Sequence, residues 1–190
     1  MPGTVEPGRV PHDSYDGVVY DLDGTLVRLR VDWAAVAGEV EEVWESAGHD
    51  PAGRSLWDLV TEAEDPELAA EVEETVAAME REGAERAEFL PTANELMYLD
   101  RPAGVCSLNC ESACRIALDR HGLSDSVSTV VGRDTVSPPK PDPKPLRETI
   151  RRMGLDRDSV VFVGDSMRDK ECARRAGVDF EFVDGRPDRP

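Results

Sequence analysis

From Pro91 onward the chain alternates short apolar runs with amphipathic stretches, and this alternation restricts the fold more than any other feature. The pattern gives a helix over Pro91 to Leu99, a strand over Ala103 to Ser107, and a helix from about Glu111 to His121 that Gly122 ends. A strand near Val127 to Val131 follows, then a proline-rich loop from Pro138 to Pro145 and a helix to Met153. A strand at Val160 to Val163, a helix from about Arg168 to Ala176 and a strand near Phe180 to Val183 complete the series. Val18-Val19-Tyr20 is one more β-forming run near the start. Strands that alternate with helices form a parallel sheet covered on both faces, so the expected fold class is α/β, a Rossmann-like sheet flanked by helices.

Between the first strand and this series the period is helical throughout. Trp33, Val36, Ala37, Val40, Val43, Trp44 and Ala47 recur at helical spacing, with Asp32 placed to cap the start and Gly48 the end. A second helix is expected around Ser55 to Glu64, and a third from Pro66 to about Glu88 with Leu68, Val72, Val76 and Met79 on one face. No strand is read between Arg28 and Glu88. The expected organisation is a loose tail over residues 1–14, an α/β core over 15–27 and 89–190, and a small all-helical cap over 28–88. Trp33, Trp44 and Trp57 read as the core of that cap.

Composition narrows the partners. Asp and Glu number 40 against 22 Lys and Arg, a net charge of −18, and Lys140, Lys144 and Lys170 are the sole lysines. Such a surface repels nucleic acid and anionic membranes. It matches proteins adapted to concentrated salt, where counterions screen self-repulsion; an ordinary acidic cytosolic protein is the alternative. The longest run free of Asp, Glu, Lys and Arg is Pro102 to Cys110, nine residues. A spanning helix needs about 20. The first 14 residues lack the apolar core of a signal peptide, so a cytoplasmic location is expected. Cys106, Cys110, Cys114 and Cys172 lack the paired spacing of a zinc site and read as small buried hydrophobes.

The polar signals fall at or just beyond the ends of the expected strands, where an open α/β sheet puts its chemistry. In Asp21-Leu22-Asp23-Gly24-Thr25, two carboxylates one residue apart precede a glycine that permits a tight turn. One can attack phosphorus while the other handles protons, although a charged loop looks the same in isolation. Ser107 ends a strand and can hold a phosphate oxygen; taken singly it is an ordinary strand terminator. Lys140 sits among Pro138, Pro139, Pro141 and Pro143, which limit where its ammonium can point; taken singly it is a solvated surface lysine. Gly164-Asp165-Ser166, with Asp169 four beyond Asp165, offers oxygen ligands for Mg²⁺ or a cap for the next helix.

In this order the segments resemble the four signature motifs of the haloacid dehalogenase superfamily, over Asp16 to about Asp184. The resemblance implies a phosphatase that uses Mg²⁺ and acts on a small phosphorylated metabolite, similar to phosphoglycolate phosphatase. Alternatives are a phosphomutase of the β-phosphoglucomutase type and a non-catalytic binding protein on the same fold. It further implies Asp21 as the nucleophile, and Asp23 as general acid and then base. Asp21, the Asp23 carbonyl and Asp165 would hold the metal with support from Asp169, and Ser107, Lys140 and Thr25 would bind phosphate. Asp23 disfavours carbon–halogen cleavage, because the dehalogenases of this superfamily lack an aspartate there. Relatives often carry asparagine directly after the serine of the second motif, whereas here Leu108 follows and Asn109 comes next. Arg28, Arg30 and Arg54 in the cap are candidates for a substrate carboxylate or second phosphate; surface arginines balancing glutamates is the alternative.

Overall fold

A computed structural model describes residues 14–183. Five strands make one parallel sheet: β1 (Gly17–Tyr20), β4 (Ala103–Cys106), β5 (Thr129–Val131), β6 (Val160–Gly164) and β7 (Asp179–Phe182), in the order β5-β4-β1-β6-β7. β1 is central. Val18, Val19 and Tyr20 lie opposite Ala103, Gly104 and Val105 on one side and Val161, Phe162 and Val163 on the other. This register brings the residues after each strand, among them Asp21, Ser107 and Asp165, to one edge of the sheet.

Four helices cover the sheet: α4 (Thr92–Met97), α5 (Glu111–Arg120), α6 (Lys144–Met153) and α7 (Met167–Ala176). Successive residues of a strand face opposite sides, which is why β1 serves two cores. Val18 and Tyr20 pack with Leu22, Val105, Cys114 and Leu118, whereas Val19 packs with Cys106, Leu146, Ile150, Phe162 and Cys172. All four cysteines are free and buried, in keeping with their reading as small hydrophobes. No helix among the described residues is long and apolar enough to cross a membrane.

Residues 33–85 carry α1 (Trp33–Ser46), α2 (Leu56–Glu62) and α3 (Pro66–Glu85). Each starts at a polar cap: Asp32 accepts from the N–H groups of Ala34 and Ala35, Ser55 forms a reciprocal box with Asp58, and Asp65 accepts from Glu67 and Leu68. Their facing stripes bury a separate cluster of Val36, Val40, Trp44, Leu59, Leu68, Val72 and Val76. The insert leaves and rejoins the core through two antiparallel strands, β2 (Val27–Arg28) and β3 (Glu88–Phe89), with Val27 opposite Phe89.

The structure departs from the sequence reading in three places. The stem strands β2 and β3 were not expected, because two residues are too short to show a period. α3 consequently stops at Glu85, since Glu88 is needed to pair with Arg28. Of the three tryptophans only Trp44 belongs to the buried cluster; Trp33 is 36% exposed and its ring lies 5.9 Å from that of half-buried Trp57. The expected N-terminal tail falls outside the described residues except for Ser14.

Leu59 is fully buried where α2 meets the rest of the insert. Leu59→Ala should lower stability by about 2–5 kcal/mol, the range for a truncated buried leucine. A urea titration checks this, and an unchanged midpoint would contradict the packing described.

Candidate active site

Asp21 follows β1 directly and leads into a turn that folds back on itself. The N–H groups of Thr25, Leu26 and Val27 all point to the carbonyl of Leu22, and Gly24 donates to Val27. Gly24 adopts φ +85°, and a Cβ there would sit 2.1 Å from Asp165 Oδ2. Only glycine therefore lets the turn after β1 and the turn after β6 meet. Asp165 is exposed, whereas Asp21 is buried and Asp23 half-buried. Asp23 accepts a 2.8 Å hydrogen bond from the N–H of Leu29.

The ammonium of Lys140 enters this carboxylate cluster from the loop ahead of α6. Its Nζ donates to Asp21 Oδ1 at 2.8 Å, to Asp169 Oδ1 at 2.5 Å and to the carbonyl of Cys106 at 3.0 Å. It is 4% exposed, which excludes the solvated surface lysine that the sequence also allowed. Burial alone would discharge it, but Asp169 and Asp21 outweigh that and hold it charged well above the usual range. Asp169 in turn is fixed by its own helix: its Oδ2 accepts from the N–H and hydroxyl of Ser166, and Ser166 caps α7. Both Asp169 oxygens are thereby engaged.

These groups share too little positive charge. Burial pushes the Asp21 carboxyl up to about 8; Lys140 opposes this, and Asp169 and Asp165 add to it. Asp165, although exposed as a residue, has its carboxyl raised by partial loss of water around it and by Asp169. Asp23 is raised by burial, against the pull of the Leu29 N–H. One oxygen from each of Asp21, Asp165 and Asp169 lies within 4.8 Å of the others. A cluster with only carboxylate oxygens and excess negative charge fits a hard divalent cation such as Mg²⁺.

Ser107 lies at the same sheet edge, 2% exposed. Its hydroxyl donates to Asn109 Oδ1 at 3.1 Å and accepts from the Asn109 N–H at 3.1 Å. Thr25 is fully buried within the turn after β1, and its hydroxyl has no protein partner. Among the cap arginines, Arg28 stands where its charge reaches both Asp23 and Asp165. Arg30 pairs with Glu88, and Arg54 with Glu62 at 3.0 Å and with the Trp44 ring, so neither joins the cluster.

Two residues at this edge were absent from the sequence reading. Glu80 of α3 is fully buried, and its carboxylate accepts from Asn109 Nδ2 and the N–H of Cys110. Arg133, after β5, donates to Glu80 at 2.7 Å, to Glu73 and to the carbonyl of Leu108. A signal for Glu80 existed: it continues the stripe Leu68, Val72, Val76 at a spacing of four, so a glutamate stands where a hydrophobe is expected. Arg133 had none, since its partners lie 53 and 60 residues away.

The family model for haloacid dehalogenase-like hydrolases matches residues 18–183. A phosphoglycolate phosphatase from Rhodospirillum rubrum is 43% identical over 75 residues, which cover 40% of this chain and 31% of that protein. A phosphoglycolate phosphatase from Cereibacter sphaeroides is 30% identical over 191 residues, covering 89% of this chain and 85% of that one. The fold is similar to that of a hydrolase from Pseudomonas syringae, with a TM-score of 0.67 at 21% identity over 91% of this chain and 87% of that chain. With the cluster of Asp21, Asp165, Asp169 and Lys140 lying inside the matched span, the chain belongs to the haloacid dehalogenase-like hydrolases and is similar to their phosphoglycolate phosphatase members.

Proposed function

We propose that this protein is a Mg²⁺-dependent phosphatase of small phosphomonoesters that works through an aspartyl-phosphate on Asp21. The observation that carries the reading is the buried Lys140 ammonium between Asp21 and Asp169, beside a third carboxylate. Structural ion pairs are seldom built with such a surplus of carboxylates, because each buried charge costs several kcal/mol unless compensated. A dianionic phosphoryl group would meet Lys140 here, together with whatever cation the carboxylates hold.

In this reading a carboxylate oxygen of Asp21 attacks phosphorus as the bond to the leaving oxygen breaks, and Asp23 gives that oxygen a proton. Water then attacks the phosphorus, Asp23 takes its proton, and the bond to Asp21 breaks to release phosphate. The raised proton affinity of Asp23 suits a group that must first be an acid. Lys140 binds the phosphoryl oxygens and Ser107 adds a hydroxyl at the same edge. Asp21, Asp165 and the Asp23 carbonyl would hold Mg²⁺, with Asp169 behind them. When bound, the ion would supply positive charge that offsets the charge of the phosphoryl group. Phosphoglycolate is the first substrate to test, given the names of the relatives. Arg28, whose charge reaches Asp23 and Asp165, is the cap arginine to test first for contact with its carboxylate.

Hydrolysis of p-nitrophenyl phosphate and phosphoglycolate, in dilute buffer and in concentrated KCl, tests the reading. Asp21→Asn should lose at least about a thousandfold in kcat, as removal of a nucleophile does. Asp23→Asn should slow turnover by about 10²–10⁴ and accumulate a protein heavier by one phosphoryl group in intact mass. Full turnover by Asp21→Asn would end the proposal. A wild-type aspartyl-phosphate that outlives the assay would favour the mutase alternative.

Chelation by EDTA should abolish turnover, and Mg²⁺ should restore it. The acid limb of the rate profile should report ionisation of Asp21, whose carboxyl is raised to about 8 in the metal-free protein. A cation beside it favours the ionised form, so raising Mg²⁺ should move that limb to lower pH. A limb that stays put across a wide range of Mg²⁺ would argue against Asp21 as a metal ligand.

A further inference from the structure

Ser107, Leu108, Asn109 and Cys110 form the loop between β4 and α5; the last three bond directly to the same buried ion pair, and Ser107 bonds to Asn109. Arg133 reaches the carbonyl of Leu108 at 2.7 Å. Glu80 receives the N–H of Cys110 at 2.9 Å and the side-chain amide of Asn109 at 3.1 Å. Because Nδ2 of Asn109 must donate to Glu80, its Oδ1 is turned toward Ser107 and accepts the hydroxyl. Asn109 in this way brings its amide against the serine hydroxyl from two positions along the chain.

The pair itself is closed to solvent. Glu80 is 0% and Arg133 6% exposed, and Arg133 meets Glu80 with two nitrogens and Glu73 with two. Burial works against the guanidinium charge, and Glu73 and Glu80 more than restore it. Such a pair adds little to net stability compared with apolar packing, but it fixes the direction of every donor and acceptor around it. Glu80 belongs to α3, so the loop's geometry is set from the insert and not from the sheet alone.

We propose that Glu80 and Arg133 are positioning residues for phosphate binding, which hold the loop of residues 107–110 and, through Asn109, the Ser107 oxygen, whose one proton turns from Asn109 Oδ1 to a phosphoryl oxygen when phosphate binds. This rests on the reading of Ser107 as a phosphate ligand. A loop already held in its binding geometry loses less freedom when phosphate arrives, so the effect belongs to affinity for phosphate and phosphoryl groups.

Two variants separate the relay from the fold. Asn109→Leu keeps the Glu80–Arg133 pair and removes the link to Ser107, whereas Glu80→Gln weakens the pair itself. Steady-state hydrolysis of p-nitrophenyl phosphate, competition by inorganic phosphate and thermal melting are measured on each with saturating Mg²⁺. The expected result is a rise of about 10- to 100-fold in KM and in Ki for phosphate in both, the range for removing a partner that orients a ligand. The fall in kcat should be smaller, and the Asn109→Leu melting temperature close to wild type. Wild-type KM and Ki in Asn109→Leu would overturn the proposal, whatever Glu80→Gln does to stability. Failure of the wild type to turn over is a separate outcome: it removes the phosphatase reading, and this inference with it.

Discussion

One ammonium joins three pieces of chain that are far apart in sequence. Lys140 meets Asp21 at the end of β1, the carbonyl of Cys106 at the end of β4, and Asp169 on α7 beyond β6. Remove its charge and two buried carboxylates face each other without compensation, which costs several kcal/mol in an interior. The parallel register makes this meeting possible, because it carries all three strands to the same edge before their loops diverge. Gly24 completes it by letting the turns after β1 and β6 approach to contact.

The sheet and its helices were largely legible in the sequence, and for a definite reason. Strands buried on both faces read as continuous apolar runs such as Val160 to Val163, and each helix after them ends at a glycine with positive φ or begins at a capping residue. The carboxylates and Lys140 were legible because their meaning lies in order along the chain. What stayed hidden depends on distance in space. The stem strands are too short to carry a period, and the Glu80–Arg133 pair joins segments 53 residues apart. Trp57 read as buried core, yet its ring lies 5.9 Å from the guanidiniums of both Arg133 and Arg168, at the seam between insert and sheet domain.

Charge is organised differently inside and outside. On α6 and α7, Glu148 pairs with Arg151 and Arg152, and Glu171 with Arg174 and Arg175, one helical turn apart. Solvent screens these pairs, and each contributes little. The buried groups are fewer and their geometry is strict: Lys140 has three acceptors and Glu80 three groups donating to it. An abundance of surface arginines therefore says little about where the cations that matter are.

The burial of Glu80 bears on how an insert of this kind can be exchanged. Helical units placed between a first strand and the rest of an α/β sheet invite treatment as detachable modules, and the short stem of β2 and β3 looks like a clean junction. Here the junction is not the whole boundary. A carboxylate on α3 supplies the acceptor for a core backbone amide and a core arginine, so a transplanted cap without an acid at this point would strand Arg133 in the interior. Grafting and domain shuffling in this chain must carry α3 with the sheet, and any exchange of α1 and α2 must keep an apolar face for Leu68, Val72 and Val76.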